Sequence, residues 1–443
     1  MRRLLHVLSH PVASNALWLY GQQFAVTILP LVTLPYLTRV LGPSELGIVV
    51  VTQSFSFTLA LVIEYGFPLT GPREAAARRG NPEALAETVA AVQGAKAALC
   101  GVAVLLGLAA WPLVPAFRAH PELVALALGT AVLQGMSPWW LFGGLEKMRG
   151  PATLELGLRV LTVVVILAVV DDRTDGALVL LVYLIVQGLS TLLLTGWMYR
   201  LVAPRAPDRA EVVERLRAGW ILFVSSGAVA AYTTATVFLL GLLVTPAQVA
   251  FYAAAERVVR AGMRVLSAVE AAVYPRVSFL VASGRPERAD RLALLTLGGL
   301  GGVSVLCAAA LFLLAPVLVD VVFGEDFGPS VGVLRVLALV VPLGLGALTI
   351  TQQWLLPRGL ERWTTRVVLV AGALNIVLLL ALTPLLGIRG TAWALVIVEA
   401  VTLVGQLLIM RRFGLLPRRR RGGERPRATD TSPRARRGAG SSA

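Results

Sequence analysis

Charge is what this chain has least of. Only 15% of its 443 residues are Asp, Glu, Lys or Arg, whereas 57% are hydrophobic, which excludes an ordinary soluble domain. Cysteine is nearly absent: Cys100 and Cys307 both fall in apolar runs and read as small core residues, not a disulfide. The three histidines, His6, His10 and His120, are scattered, so no metal site or cofactor is expected. No Gly-Lys-Ser/Thr follows a glycine loop, so the chain lacks a nucleotide-hydrolysing P-loop. Gly298-Gly299-Leu300-Gly301-Gly302 lies inside an apolar run and reads as a close-packing face.

What is there instead is a series of apolar runs of about 20 residues, each long enough to cross a bilayer. About twelve spans are predicted: 15–38, 46–70, 86–111, 122–143, 152–170, 176–198, 219–243, 248–274, 292–314, 331–356, 365–386 and 388–410. No connection between them is long enough to fold as a soluble domain. Pro30 and Pro35 are expected to break span 1, and Pro342 span 10. Trp111, Trp139, Trp140 and Trp197 fall near span ends, as interfacial anchors do.

The net charge of +15 is mostly a tail, since eleven arginines against Glu424 and Asp430 follow residue 410. No folded basic surface accompanies it, so it is no argument for nucleic acid. In the body of the chain the basic residues alternate from loop to loop. Arg73, Arg78, Arg79, Lys147, Arg149, Arg200 to Arg217, Arg276 to Arg291, and Arg358 to Arg366 all follow even-numbered spans. The other loops hold few, and one carries Asp320, Glu325 and Asp326. By the positive-inside rule both termini are expected in the cytoplasm.

The chain also repeats itself. Trp139, Gly144, Leu145, Glu146 and Lys147 recur as Trp354, Gly359, Leu360, Glu361 and Arg362; Pro43 recurs as Pro246, and Pro72-Arg73 as Pro275-Arg276. An even number of spans per half makes these parallel repeats. The expected organisation is an amphipathic lead-in (1–14), a six-helix bundle (15–198), a cytoplasmic linker (199–218), a second six-helix bundle (219–410) and a disordered Arg-rich tail (411–443). The fold class is thus an all-α polytopic membrane protein of two parallel bundles around a central cationic cavity.

That cavity is expected because span 8 carries charge where charge is costly. Arg264 lies about 20° and Arg260 about 60° from Arg257 around a helix, so the three share a face. Counted from Gln248, Arg260 stands roughly 18 Å along, near the middle of a ~30 Å hydrocarbon core. An arginine there costs about 2.5–3.5 kcal/mol, so the three should face a cavity or a negatively charged partner. Their bland reading is pairing with Glu256, Glu270 or acids of other spans. Lys96 faces the cavity or snorkels. Glu64 and Glu399 are read as salt-bridge or coupling acids, and Glu155 with Arg159 as a helix-surface pair. Gln22, Gln23 and Gln53 could hydrogen-bond sugar or other helices.

Residues 15–79 resemble the opening of a Wzx-type polysaccharide flippase, within the multidrug/oligosaccharidyl-lipid/polysaccharide (MOP) exporter superfamily. The resemblance rests on Asn15, Pro30, the run Leu34-Pro35-Tyr36-Leu37-Thr38-Arg39-Val40-Leu41-Gly42-Pro43, Gly47, Tyr65-Gly66-Phe67 and Arg73-Glu74. Pro138-Trp139-Trp140-Leu141-Phe142-Gly143-Gly144-Leu145-Glu146-Lys147-Met148 and Tyr252-Ala253-Ala254-Ala255-Glu256-Arg257 are similar to two further stretches of that family. The chain departs from it at Glu64, where aspartate is common, at Gly143, where glutamine is common, and at Arg257, where lysine is usual. Of these, only Gly143 removes a polar side chain. The resemblance implies a non-enzymatic flippase that carries an undecaprenyl-pyrophosphate-type lipid-linked oligosaccharide repeat unit across the inner membrane by alternating access. Arg257, Arg260, Arg264 and Lys96 are then expected to bind its pyrophosphate or glycan. The resemblance also implies a polysaccharide polymerase and co-polymerase as partners. Pro35, Arg39, Gly42, Pro43, Gly66, Arg73, Trp139, Gly144 and Glu146 are then structural motif positions. The alternatives are a lipid II flippase or a cation-coupled multidrug exporter of the same superfamily; the arginine face argues against the exporter.

Overall fold

The computed structural model describes residues 11–233 and 235–416, without the side chains of 11–28, 30, 31, 225, 226 and 228–233. Residues 1–10 of the lead-in, the tail from 417 and the side chains of Asn15, Gln22 and Gln23 lie outside that description. The described residues are almost entirely helical, with no strand among them. In the first half the helices are α1 (Pro11–Glu64), α2 (Phe67–Ala77), α3 (Pro82–Ala110), α4 (Pro115–Ala119), α5 (Glu122–Met136), α6 (Trp139–Gly144), α7 (Arg149–Val169) and α8 (Gly176–Leu201). The second half holds α9 (Arg209–Thr233), α10 (Ala235–Gly241), α11 (Pro246–Ala282), α12 (Pro286–Leu313), α13 (Ala315–Phe323), α14 (Ser330–Leu337), α15 (Val340–Ile350), α16 (Glu361–Leu386) and α17 (Ile388–Arg412).

Ten helical stretches among the described residues are long and apolar enough to cross a membrane. The chain is therefore a multi-span membrane protein. Two further crossings are consistent with the remaining helices. Gly42, at φ 71°, breaks the 54-residue α1 into two lengths, and α9 with α10 covers predicted span 7. The break falls at Gly42 because Pro43 bars α geometry from its predecessor and glycine alone accepts that φ without strain. Pro30 and Pro35, by contrast, do not break α1, whose sole non-helical residue is Gly42. Pro342 behaves as expected: it cannot bond back to Ala338, and the helix is interrupted just there, between α14 and α15. A π-helical turn at Thr351–Leu355 then leads to Gly359, at φ 71°.

The glycines of the Gly298–Gly302 stripe open onto empty space, so this face of α12 is not the close-packing surface expected. Trp140 is also no interfacial anchor. Its ring lies buried 2.5 Å from where a Cβ on Gly71 would stand, whereas Trp111 and Trp197 are exposed as anchors should be.

Loops on the same side meet through their charges. At the basic end Arg79 bonds the Gly144 carbonyl (2.7 Å) and pairs with Glu146 (3.3 Å), Arg205 pairs with Glu87 (2.6 Å) and Arg358 with Asp290 (2.6 Å). Arg215 and Glu74 form a further pair. The start of α9 stays with the first half, where the Tyr65 hydroxyl donates to the Leu216 carbonyl (2.9 Å) and its ring stacks on Phe223. The remainder of α9 packs on α16.

Apart from the start of α9, the described halves meet chiefly toward the end away from the basic loops. One core cluster, reaching the end away from the basic loops, takes residues from both, among them Leu34, Val51 and Phe55 with Leu240, Tyr252, Phe327 and Leu334. There α1 packs along α11, Phe55 stacks on Phe238, and Arg39 donates to the Val321 carbonyl (2.6 Å). A Cβ on Gly47 would stand 1.8 Å from the Pro246 carbonyl oxygen, so only glycine permits that approach. Toward the basic end the cores separate. One cluster around Phe67, Trp140 and Phe142 belongs to the first half, and those around Trp354 and Val277 belong to the second.

Candidate functional site: two polar recesses flanking one helix

Below the shared core each half encloses a recess. That of the first half is about 500 Å³ and is lined by α1, α2, α3, α5, α6, α7 and α8. Its polar wall carries the amides of Gln53, Gln134 and Gln187, the hydroxyls of Ser56, Thr130 and Tyr183, and the Trp139 ring. Its charges are Glu64, Lys96, Glu155 and Arg159. Lys96 is buried, and its ammonium donates to the Ser137 carbonyl (2.8 Å) at the C-terminal end of α5, where the helix dipole favours a cation. Glu64 has Lys96 as its electrostatic neighbour. Glu155 accepts from Ser190 and stands 3.8 Å from Arg159. The Glu155–Arg159 pair therefore lines the recess, where a plain surface pair was expected. Gly143 is also in this wall; glutamine, common there in the resembling family, would project a fourth amide.

The second recess, about 320 Å³, lies among α11, α14, α15, α16 and α17 and is lined by Glu256, Arg260, Thr351, Thr364, Glu399 and Gln406, among others. Here the charges are largely answered from within. Arg260 grips the buried Glu256 one turn back, Nε to Oε1 at 2.9 Å, and Glu399 is a further electrostatic neighbour of Arg260. Glu270 is fully buried nearer the basic end of α11, where it accepts from the Thr349 hydroxyl.

Between the recesses runs α11, and its arginines diverge. Arg260 faces the second recess. Arg257 lies toward the first, with Tyr183 among its electrostatic neighbours beside Glu256. Arg264 stands exposed near Arg260. Eleven residues from Pro246, at ~1.5 Å each, place Arg257 roughly 17 Å along α11, about mid-depth of a ~30 Å core. Arg257 is the one of the three that makes no hydrogen bond or ion pair among the described residues. No group of three or more His, Cys, Asp or Glu among the described residues could hold a metal ion.

Gln134, Gln187 and Tyr183 were not singled out from the sequence. Their signal was present nonetheless: each is a polar side chain well inside an apolar span, where it requires a protein or water partner. Of the motif positions, Arg39 and Gly42 serve the sealed end, Gly144 and Glu146 anchor Arg79, and Trp139 lines the first recess. Pro35, Pro43 and Gly66 shape α1 and its exit, while Arg73 lies in α2.

Comparison with known proteins now decides the family. The family described as "Polysaccharide biosynthesis protein" matches residues 12–281. The chain belongs to it. It is 25% identical over 410 residues to the "Putative O-antigen transporter" of Escherichia coli (strain K12), covering 91% of this chain and 97% of that one. A protein of the same name from Shigella dysenteriae is 26% identical over 410 residues, covering 89% and 98%. Among solved structures, one described as "Lipid II flippase MurJ, inward closed conformation" superposes at TM-score 0.71 with 13% identity, over 89% of this chain and 87% of that one. An inward-facing multidrug resistance MATE family transporter of the MOP superfamily gives TM-score 0.65 with 17% identity, over 88% and 95%. At these identities the structures establish a shared fold.

Proposed function

We propose that this polysaccharide-family protein is a flippase. It moves a polyprenyl-pyrophosphate-linked oligosaccharide repeat unit between the leaflets of the cytoplasmic membrane, with both termini cytoplasmic and without covalent chemistry. The observation that carries this reading is Arg257, a mid-membrane guanidinium with no described ion pair, beside a recess of amides, hydroxyls and aromatic rings. An intramembrane cation requires compensation. A pyrophosphate provides it with several anionic oxygens, which a guanidinium meets with parallel hydrogen bonds. The glycan's hydroxyls suit Gln53, Gln134 and Gln187, and its rings suit Trp139 and Tyr183.

In this reading Arg257 and Lys96 are the principal anion-binding groups. Arg260 and Arg264 set the field of α11, and Glu64, Glu256, Glu270 and Glu399 balance charge or bind a coupling cation. The glycan occupies the side that opens at the basic end, and closure there with opening of the shared core delivers it across. An undecaprenyl-type lipid supplies the substrate, and a polymerase and co-polymerase receive it. The names of the relatives agree with a surface-polysaccharide substrate.

The test is reconstitution in proteoliposomes carrying a fluorescent polyprenyl-pyrophosphate oligosaccharide, with glycan accessibility to an external glycosidase as the readout. Protection or exposure that requires the protein is expected. Failure on several glycans, with transport of a cationic dye instead, would overturn the reading in favour of a drug exporter.

A further inference from the structure

On the outer flank of the first half, separate from the recess, a groove of about 920 Å³ runs between α7 and the end of α8. Its mouth carries Lys147 and Arg149, both exposed. Glu146 is also at the mouth, but it pairs with Arg79 (3.3 Å), so the sign there is positive. Its floor exists because of two glycines. The Trp197 ring lies 1.9 Å from where a Cβ on Gly150 would stand, and Gly157, one wall of the groove, has nothing within 4 Å of its Cβ direction. Leu154, Leu158 and Leu161 continue the floor, and Thr153, the one hydroxyl in the lining, donates to the Arg149 carbonyl (2.8 Å).

The dimensions select the occupant. From Gly150 to Leu161 the floor extends about 16 Å along the helix, close to half of a ~30 Å hydrocarbon core. Exposed Val160 and Val164 lie along the same stretch of α7, so that part of the helix borders lipid. A cationic mouth at the membrane end, an aromatic ring at interfacial depth and an apolar floor one leaflet long match a lipid with a negatively charged headgroup. A free phosphate would leave the floor unused. We propose that this groove is a specific site for one anionic phospholipid of the basic-end leaflet, its phosphate on Lys147 and Arg149 and one acyl chain over Gly157. Because α7 also presents Glu155 and Arg159 to the recess, the bound lipid braces a wall of the transport site from outside.

The test uses the full chain, delipidated in detergent and titrated with phosphatidylglycerol or phosphatidylethanolamine, with bound lipid counted by native mass spectrometry. One phosphatidylglycerol is expected to bind about tenfold more tightly than phosphatidylethanolamine. At about fivefold per surface cation, Lys147→Ala with Arg149→Ala should weaken it by up to about thirtyfold. Gly157→Trp, which projects into open space, should weaken both lipids and leave the melting temperature unchanged. Equal binding of the two lipids would overturn the site. So would displacement of phosphatidylglycerol by millimolar inorganic phosphate, or binding of a polyprenyl phosphate where phosphatidylglycerol does not bind. None of these outcomes bears on whether the protein is a flippase.

Discussion

The two recesses lie on either side of α11, yet their chemistry differs. In the second, the cation is consumed internally: Arg260 holds Glu256 and has Glu399 beside it, which leaves carboxylate in excess. In the first, Lys96 faces Glu64 and Arg159 faces Glu155, so its own charges cancel. Arg257 then adds one positive charge from across the interface. One recess is thus rich in amides with a cation beside it, and in the other the cation is held by the recess's own carboxylates. The excess cation comes from the second half although the recess belongs to the first, so an anion bound there would feel the contact between them.

The largest test of that contrast exchanges the roles of two arginines one turn apart. Arg257→Ala should reduce transport about tenfold to a hundredfold by loss of a charged hydrogen bond of about 1.5–3 kcal/mol, with little change in melting temperature. Arg257→Lys should retain part of the rate. Arg260→Ala should act on stability, because it strands a buried carboxylate. The cost approaches about 3 kcal/mol at full burial and less here, where the guanidinium is 34% exposed. Scanning calorimetry of the two variants measures the difference.

A second prediction addresses the sealed end. Gly47→Val should place methyl groups where the Pro246 carbonyl now lies and force the halves apart. Cysteines introduced in the shared core at Leu34 or Leu240, both buried, should then label severalfold faster with a membrane-impermeant maleimide from the end away from the basic loops. Arg39→Ala, which removes only the bond to the Val321 carbonyl, should shift labelling in the same direction by about fivefold or less.

The smallest expected effect is also the most selective. Gln187→Ala or Gln134→Ala should alter the preference among glycans by about two- to tenfold, at about 0.5–1.5 kcal/mol per hydrogen bond, without loss of pyrophosphate recognition. Competition between two lipid-linked glycans of different composition reads this directly. Gln406→Ala in the other recess should leave the preference unchanged.

Much of this architecture was legible beforehand, for identifiable reasons. Ten of the span positions follow from hydropathy alone. Loop arginines report which loops share a side, as the Arg79–Glu146 and Arg358–Asp290 contacts bear out. Pro342 was readable as a break because proline acts locally, and the Gly42 break falls in the gap between predicted spans 1 and 2. Pro30 and Pro35 misled for the complementary reason: a helix with neighbours can absorb a proline without changing course. The Gly298–Gly302 stripe misled because small residues permit close packing but do not require it. The divergence of Arg257 from Arg260 was out of reach. Helical periodicity assigns a face, and about 60° separates these two; which recess each side chain enters depends on partners on other helices, such as Tyr183 and Glu399.

The most direct measurement is the affinity of purified protein for a polyprenyl-pyrophosphate oligosaccharide, titrated in nanodiscs, for wild type, Arg257→Ala and Arg260→Ala. The division of labour along α11 predicts that Arg257→Ala weakens binding by at least about tenfold with an unchanged melting temperature. Arg260→Ala should bind within about threefold of wild type while melting earlier. The reverse pattern, with binding lost in Arg260→Ala and intact in Arg257→Ala, would contradict the account and move the anion site into the second recess.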